Sequence, residues 1–171
     1  MTAHLVSEEY SFAWDFRSCF WESYCEEHGL MFKGKNDLAI ELIKDYESPT
    51  DEQVYVLVDS WYTSRKLIID ACAAKGYHVI GGLRVNRKIY PAGIGIKISK
   101  FASDFMRTSD TRSVTARDHT YKLYTYEGKL SDIENAKALL FWEGEFDSSK
   151  TPFCILCTDC SLDESYHPEL L

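Results

Sequence analysis

Asp59 stands directly behind an unbroken apolar run, Val54-Tyr55-Val56-Leu57-Val58, and ahead of Ser60-Trp61-Tyr62-Thr63-Ser64. An acid in that position has two chemistries open to it. It can tie down its own turn, because an Asp side chain accepts hydrogen bonds from the backbone two residues on. At the mouth of a parallel sheet it can instead offer oxygen to Mg2+, which takes one or two carboxylates together with waters and substrate phosphates. Cys154-x2-Cys157-x2-Cys160, with His167 beyond, is a second constellation, of zinc-ligand type. Residues three apart in a strand point to opposite faces, so Cys154 and Cys157 read as small apolar strand residues and not as converging ligands. His4, His28, His78 and His119 form no pair four apart and no HExxH pattern, and Gly81-Gly82 lacks the spacing of a phosphate loop. That glycine pair suits a close backbone approach at the end of a sheet.

Charge supplies a third candidate. The net charge of -8 conceals a segregation: residues 1–60 carry 4 basic and 13 acidic groups, residues 81–130 carry 10 and 4, and residues 131–171 carry 2 and 9. The basic middle is either an electrostatic footprint for phosphates or the solvated face of an ordinary sheet.

The elements that must position these groups follow from periodicity. In YSFAWDFR, Tyr10, Phe12, Trp14 and Phe16 alternate with smaller or polar residues, the period of a half-buried strand. Asn36 is placed to cap a helix whose Leu38, Ala39, Leu42, Ile43 and Tyr46 form one stripe. Val54–Val58 has the unalternating, β-branched character of a strand covered on both faces, and is expected to be central. A helix from about Arg65 to Lys75 follows, with Leu67, Ile68, Ala71 and Cys72 on one face and Gly76 as its stop. Tyr77–Ile80 is the next strand. Strand, helix, strand within about thirty residues predicts a parallel pair, which puts Asp59 at the carboxyl end of a parallel strand, where open α/β sheets place their chemistry. Beyond Gly82 the pattern turns to β: a hairpin of Arg112–Ala116 with Tyr121–Tyr126, then strands at Ala136–Trp142 and Phe153–Thr158, with a helix pattern only at Ile98–Met106.

At 171 residues the chain is long enough for one real core, and its 45% hydrophobic content predicts a globular fold. No apolar run reaches the roughly 18 residues of a membrane span, and the first twenty residues lack a basic stretch followed by an apolar one, so a cytoplasmic protein with reduced cysteines and no membrane partner is expected.

VLVDSWYTS, the following GYHVIGGLRVNRKIYP, the preceding FKGKNDLAIELI and the late FCILCTDCSL resemble successive blocks of insertion-sequence DDE transposases, which have a ribonuclease-H-like fold. The resemblance spans about residues 4–165, with the blocks in the family's order. It implies an α/β (mixed α+β) fold: a ribonuclease-H-like mixed sheet core with an antiparallel β insertion. It further implies metal-dependent DNA strand cleavage and transfer by two Asp and one Glu holding two Mg2+ or Mn2+ ions. Asp59 then corresponds to the second Asp and is the expected catalytic metal ligand. Arg84, Arg87 and Lys88 are the expected DNA-binding residues, and the ends of the mobile element the expected partner.

The departures from the family are as informative as the match. The family's first Asp belongs to a strand ahead of the segment similar to HLVSEEYSFAW, and Asp15 lacks its surroundings. The family's glutamate helix carries Tyr-x-x-Arg-Trp-x-x-Glu, whereas Tyr166 here is followed by His167-Pro168-Glu169, and Pro168 opposes a helix. Glu164 and Glu169 are poor substitutes. The expectation is a fold incomplete at both ends, with residues 1–81 a partial core, 82–160 the β-rich insertion and 161–171 a truncated tail. Such a chain is expected to be inactive alone and to bind metal poorly. The alternative is a non-enzymatic fragment that binds DNA or intact transposase; a third is an unrelated metal-dependent phosphoesterase.

Overall fold

The computed structural model describes residues 1–7, 10–49, 52–63, 66–116 and 118–162. The chain divides into two units, one formed by Met1–Val54 with Leu67–Tyr77 and the other by Tyr55–Lys66 with His78–Leu171. Among the described residues there are four α-helices and ten strands, an α/β composition.

The first unit begins with an antiparallel hairpin of β1 (Thr2–Ser7) and β2 (Tyr10–Phe16), bulged at Ala3/His4. The alternation in β2 does not produce a half-buried strand: Tyr10, Phe12 and Phe16 are all exposed, Tyr10 to 71%. Periodicity identified the strand correctly but could not supply a sheet to cover it. Helix α1 (Glu22–His28) went unforeseen, since only Cys25 of it is buried and no stripe marks it. Helix α2 (Lys35–Asp45) buries Leu38, Leu42 and Ile43 as expected, but Asn36 is not its cap. Gly34 occupies that position, and its N–H donates to the Asp37 carboxylate at 3.0 Å. Helix α3 (Lys66–Ala74) buries Ile68, Ile69 and Cys72, while Leu67 faces out at 65% exposure. Gly76 ends it in the left-handed region at φ +73°, as its sequence position suggested. Tyr77 then fastens the unit: its hydroxyl donates to the Tyr46 carbonyl at 3.0 Å and accepts from the Ser48 N–H at 3.2 Å.

The second unit is built on a mixed sheet. β3 (Tyr55–Val58) lies parallel to β4 (His78–Gly82), with Val56 beside Val79 and Val58 beside Gly81. From β4 onward every neighbour is antiparallel: β10 (Phe153–Cys157), β9 (Ile133–Glu143), β8 (His119–Leu130), then the short β5 (Lys88–Ile89) and β6 (Ile96–Lys97), with β7 (Arg112–Ala116) also on β8. Helix α4 (Ile98–Asp104) follows β6. The expected parallel pair and hairpin are both present.

The expectation that Val54–Val58 is a central strand is corrected. β3 is the terminal strand of the sheet, and Leu57 on it is 56% exposed. The central strand is β9, on which every residue from Ala136 to Trp142 is buried, the aliphatic stem of Lys137 included. Lys137 escapes isolation because its ammonium donates to the Leu162 carbonyl at 2.8 Å. Leu139 and Phe141 form the core with Ile80, Leu123, Ile155 and Cys157.

Candidate functional site

The turn after β3 is set by Asp59 itself. Its Oδ1 accepts the N–H of Trp61 at 2.7 Å, and its carbonyl accepts those of Tyr62 at 3.2 Å and Thr63 at 3.4 Å. This is the turn-tying role open to a strand-end Asp. Thr63, almost wholly buried, donates its hydroxyl to the Gly82 carbonyl and locks the turn onto β4. Only glycine fits at Gly81, where a Cβ would lie 2.3 Å from the Val58 carbonyl oxygen, and Gly82 is tight, with a Cβ there 3.2 Å from the Ser60 Cβ. The close backbone approach expected of Gly81-Gly82 is therefore observed.

Arg84 joins this turn from β4's far end, its guanidinium 5.8 Å from the centre of the Trp61 ring. That is a cation–π distance. Asp59, Trp61 and Arg84 thus gather at the carboxyl end of the parallel pair.

Arg87 and Lys88 go elsewhere. Arg87 is mostly buried, pairs with Asp132 at 2.6 Å, and has an Nε without a partner. It is spent on the protein itself. Lys88 is exposed on β5. Of the other basic residues, Lys122 reaches Ser113 at 3.0 Å and Glu145 at 3.6 Å, and Lys129 reaches Glu134 at 3.0 Å. Arg117 lies outside the described residues, as do Glu164, His167 and Glu169.

Asp159, unremarked in the sequence, is a buried carboxylate of the second unit held by several hydrogen bonds. It accepts the Tyr55 hydroxyl at 2.7 Å, the Ser161 hydroxyl at 2.6 Å and the Ser161 N–H at 2.8 Å. Burial works to raise its pKa, but donation from Ser161 and Tyr55 and the nearby His78 outweigh it, holding the carboxyl below the usual range. Burial, reinforced by the bond to Asp159, raises the Tyr55 hydroxyl in turn. A signal was present: Asp-x-Ser recurs at Asp147-Ser148-Ser149, where Asp147 accepts the Ser149 N–H and hydroxyl in the same way. Tyr55 opens β3 and Asp59 follows its last residue, so Asp159 and Asp59 belong to opposite ends of that strand.

Asp59 supplies one carboxylate with one oxygen already engaged, and among the described residues no three His, Cys, Asp or Glu side chains group as a metal site. Asp15, in the first unit, is bound by Arg17. These residues do not fit a two-metal centre. Burial pushes the Cys154 and Cys157 thiols up to about 12 and about 11, and Cys157 donates its S–H to the Asp159 carbonyl.

No protein-family model matches the chain, and no curated protein matches it with significance. No described helix is long and apolar enough to cross a membrane.

Asp59→Asn is expected to cost less than about 1 kcal/mol, since an amide oxygen accepts the same Trp61 N–H, whereas Asp59→Ala removes the acceptor and costs about 1 kcal/mol more. Urea midpoints of the two variants check this; equal, large losses would mean that the charge itself holds the turn.

Proposed function

We propose that this chain is a transposase-derived domain with a ribonuclease-H-like core, acting in the cytoplasm on DNA. The observation that supports it is the gathering of Asp59, Trp61 and Arg84 at the carboxyl end of the parallel pair β3 and β4. A cation held against an aromatic ring at that place suits a phosphodiester, whose negative charge the Arg84 guanidinium would meet. The sequence blocks similar to DDE transposases fall on these same residues.

On this reading the chain alone holds DNA without cutting it. Two-metal chemistry requires several carboxylates fixed around one phosphate, and a misplacement of about 1 Å already costs on the order of a hundredfold in rate. The second reading, a non-enzymatic fragment that binds DNA or intact transposase, is favoured by the engagement of Asp59 in its own turn.

Duplex DNA is expected to bind weakly and without sequence preference, and to be released as salt rises, because phosphate neutralisation frees counterions. Fluorescence anisotropy with a mixed-sequence duplex across a salt series measures this. A flat salt response would remove DNA as a partner. A parallel nicking assay with Mg2+ or Mn2+ separates the two readings of Asp59: cleavage lost in Asp59→Ala would make it a working ligand.

A further inference from the structure

The antiparallel pair β5 and β6 sets Lys88 directly opposite Lys97. Residues facing each other across such a rung project on one face, and like charges there repel. The next rung, Ile89 opposite Ile96, projects on the other face, where Ile89 is fully buried. The lysines are therefore held outward by the burial of their neighbours. Neither has an acidic partner among the described residues. The acids of the adjoining β8–β9 turn are already matched, Asp132 by Arg87 and Glu134 by Lys129. A rung of like charges without a counter-charge, at the edge of the sheet, attracts anions.

The loop above the rung narrows the class of anion. Tyr90-Pro91-Ala92-Gly93-Ile94-Gly95 is tightly closed: the Gly93 N–H donates to the Tyr90 carbonyl at 3.0 Å and the Ile94 N–H to the Pro91 carbonyl at 3.1 Å. It is anchored at its base, where the Tyr90 N–H donates to the Tyr126 hydroxyl at 3.0 Å and the Ser131 N–H to the Lys88 carbonyl at 2.7 Å. Its tip is apolar, and small apart from Ile94, which is 71% exposed. Ile94 stands three residues beyond Lys97, about 10 Å at strand rise. The major groove of duplex DNA is about 12 Å wide and about 8.5 Å deep and admits a two-stranded ribbon.

We propose that the β5–β6 hairpin is an arm that enters the major groove, with Lys88 and Lys97 on the phosphates at its lip and Ile94 against the base edges. The proposal rests on the DNA-binding reading above and assigns its main contact to this hairpin rather than to Arg87. A tip with no hydrogen-bonding side chain makes the arm tolerant of sequence, with apolar contact to thymine methyls as its one preference. Lys100, exposed in the first turn of α4, lies next along the chain for a further phosphate.

The test is anisotropy with a 20-base-pair duplex across a salt series, together with protection of guanine N7 from methylation. Lys88→Gln with Lys97→Gln is expected to lower the slope of log affinity against log salt by about 2, close to one ion per phosphate contact. Ile94→Asp, at an exposed position that the fold does not need, is expected to weaken binding at least tenfold and to abolish N7 protection. Lys33→Gln with Lys35→Gln, which removes the same charge from the first unit, is expected to leave the slope unchanged. If the wild-type chain binds with a normal salt slope and both arm variants match it, the arm is overturned while the DNA reading stands. If the wild-type chain does not bind at all, the DNA reading itself fails.

Discussion

Leu139→Asp is expected to unfold the second unit at neutral pH. Leu139 is fully buried at the middle of β9, flanked by Ile155 on β10 and Thr125 on β8, in a core shared with Phe141, Leu123 and Ile80. Burying an isolated carboxylate costs several kcal/mol even after relaxation, and the lost Leu side chain adds about 2 to 3 kcal/mol. The total rivals the 5 to 15 kcal/mol by which a typical domain is stable. Leu139→Ala is the milder companion, expected to cost about 3 kcal/mol. Circular dichroism and urea unfolding of both report the effect. The contrast is Leu57→Asp on the terminal strand β3, where 56% exposure leaves room for the charge to stay in water. Equal damage at Leu57 and Leu139 would mean that the outer face of β3 is covered.

The second large effect belongs to Asp159. Asp159→Ala strands the Tyr55 hydroxyl and the Ser161 N–H and hydroxyl, and is expected to cost about 3 kcal/mol, the scale of losing charge-assisted bonds near a core. The effect also carries a pH signature. Because the folded carboxyl titrates below its unfolded counterpart, its contribution is complete above an unfolded value of about 3.9 and is lost as pH falls through the lower, folded value. Stability of the wild-type chain should therefore fall more steeply below about pH 4 than that of Asp159→Asn. Urea midpoints at pH 7, 5 and 3 for the two proteins decide it. Parallel curves would mean that the carboxylate is no better stabilised in the fold than out of it.

Most strands and helices were readable because their apolar residues recur at the right interval: α2, α3, the β7–β8 hairpin, β9 and β10 lie within a few residues of their expected places. Neighbours were not readable. Val54–Val58 and Ala138–Trp142 are both unbroken apolar runs, and nothing in either says which has a strand on each side. The difference comes from pairings far apart in sequence, such as Cys154 beside Leu140. The same limit governed the candidate site. Asp59 and Arg84 stand where expected, yet Arg87 and Lys88, adjacent in sequence, part company because Arg87 meets Asp132, 45 residues away. The partnership of Lys88 with Lys97 depends on a hairpin register that only the closed loop reveals.

The uncovered aromatics of the first unit have a colloidal consequence. Val6, Tyr10, Phe12 and Phe16 on the hairpin of β1 and β2 are exposed, as are Trp21 and Met31 beyond it. The same unit carries 5 basic and 13 acidic groups, so copies of it repel at low ionic strength. At about 1 M salt the screening length shrinks to about 3 Å, and that repulsion disappears while the attraction between apolar faces persists. Concentrated salt thus drives the first unit toward self-association, and gel filtration across a salt series reads the shift.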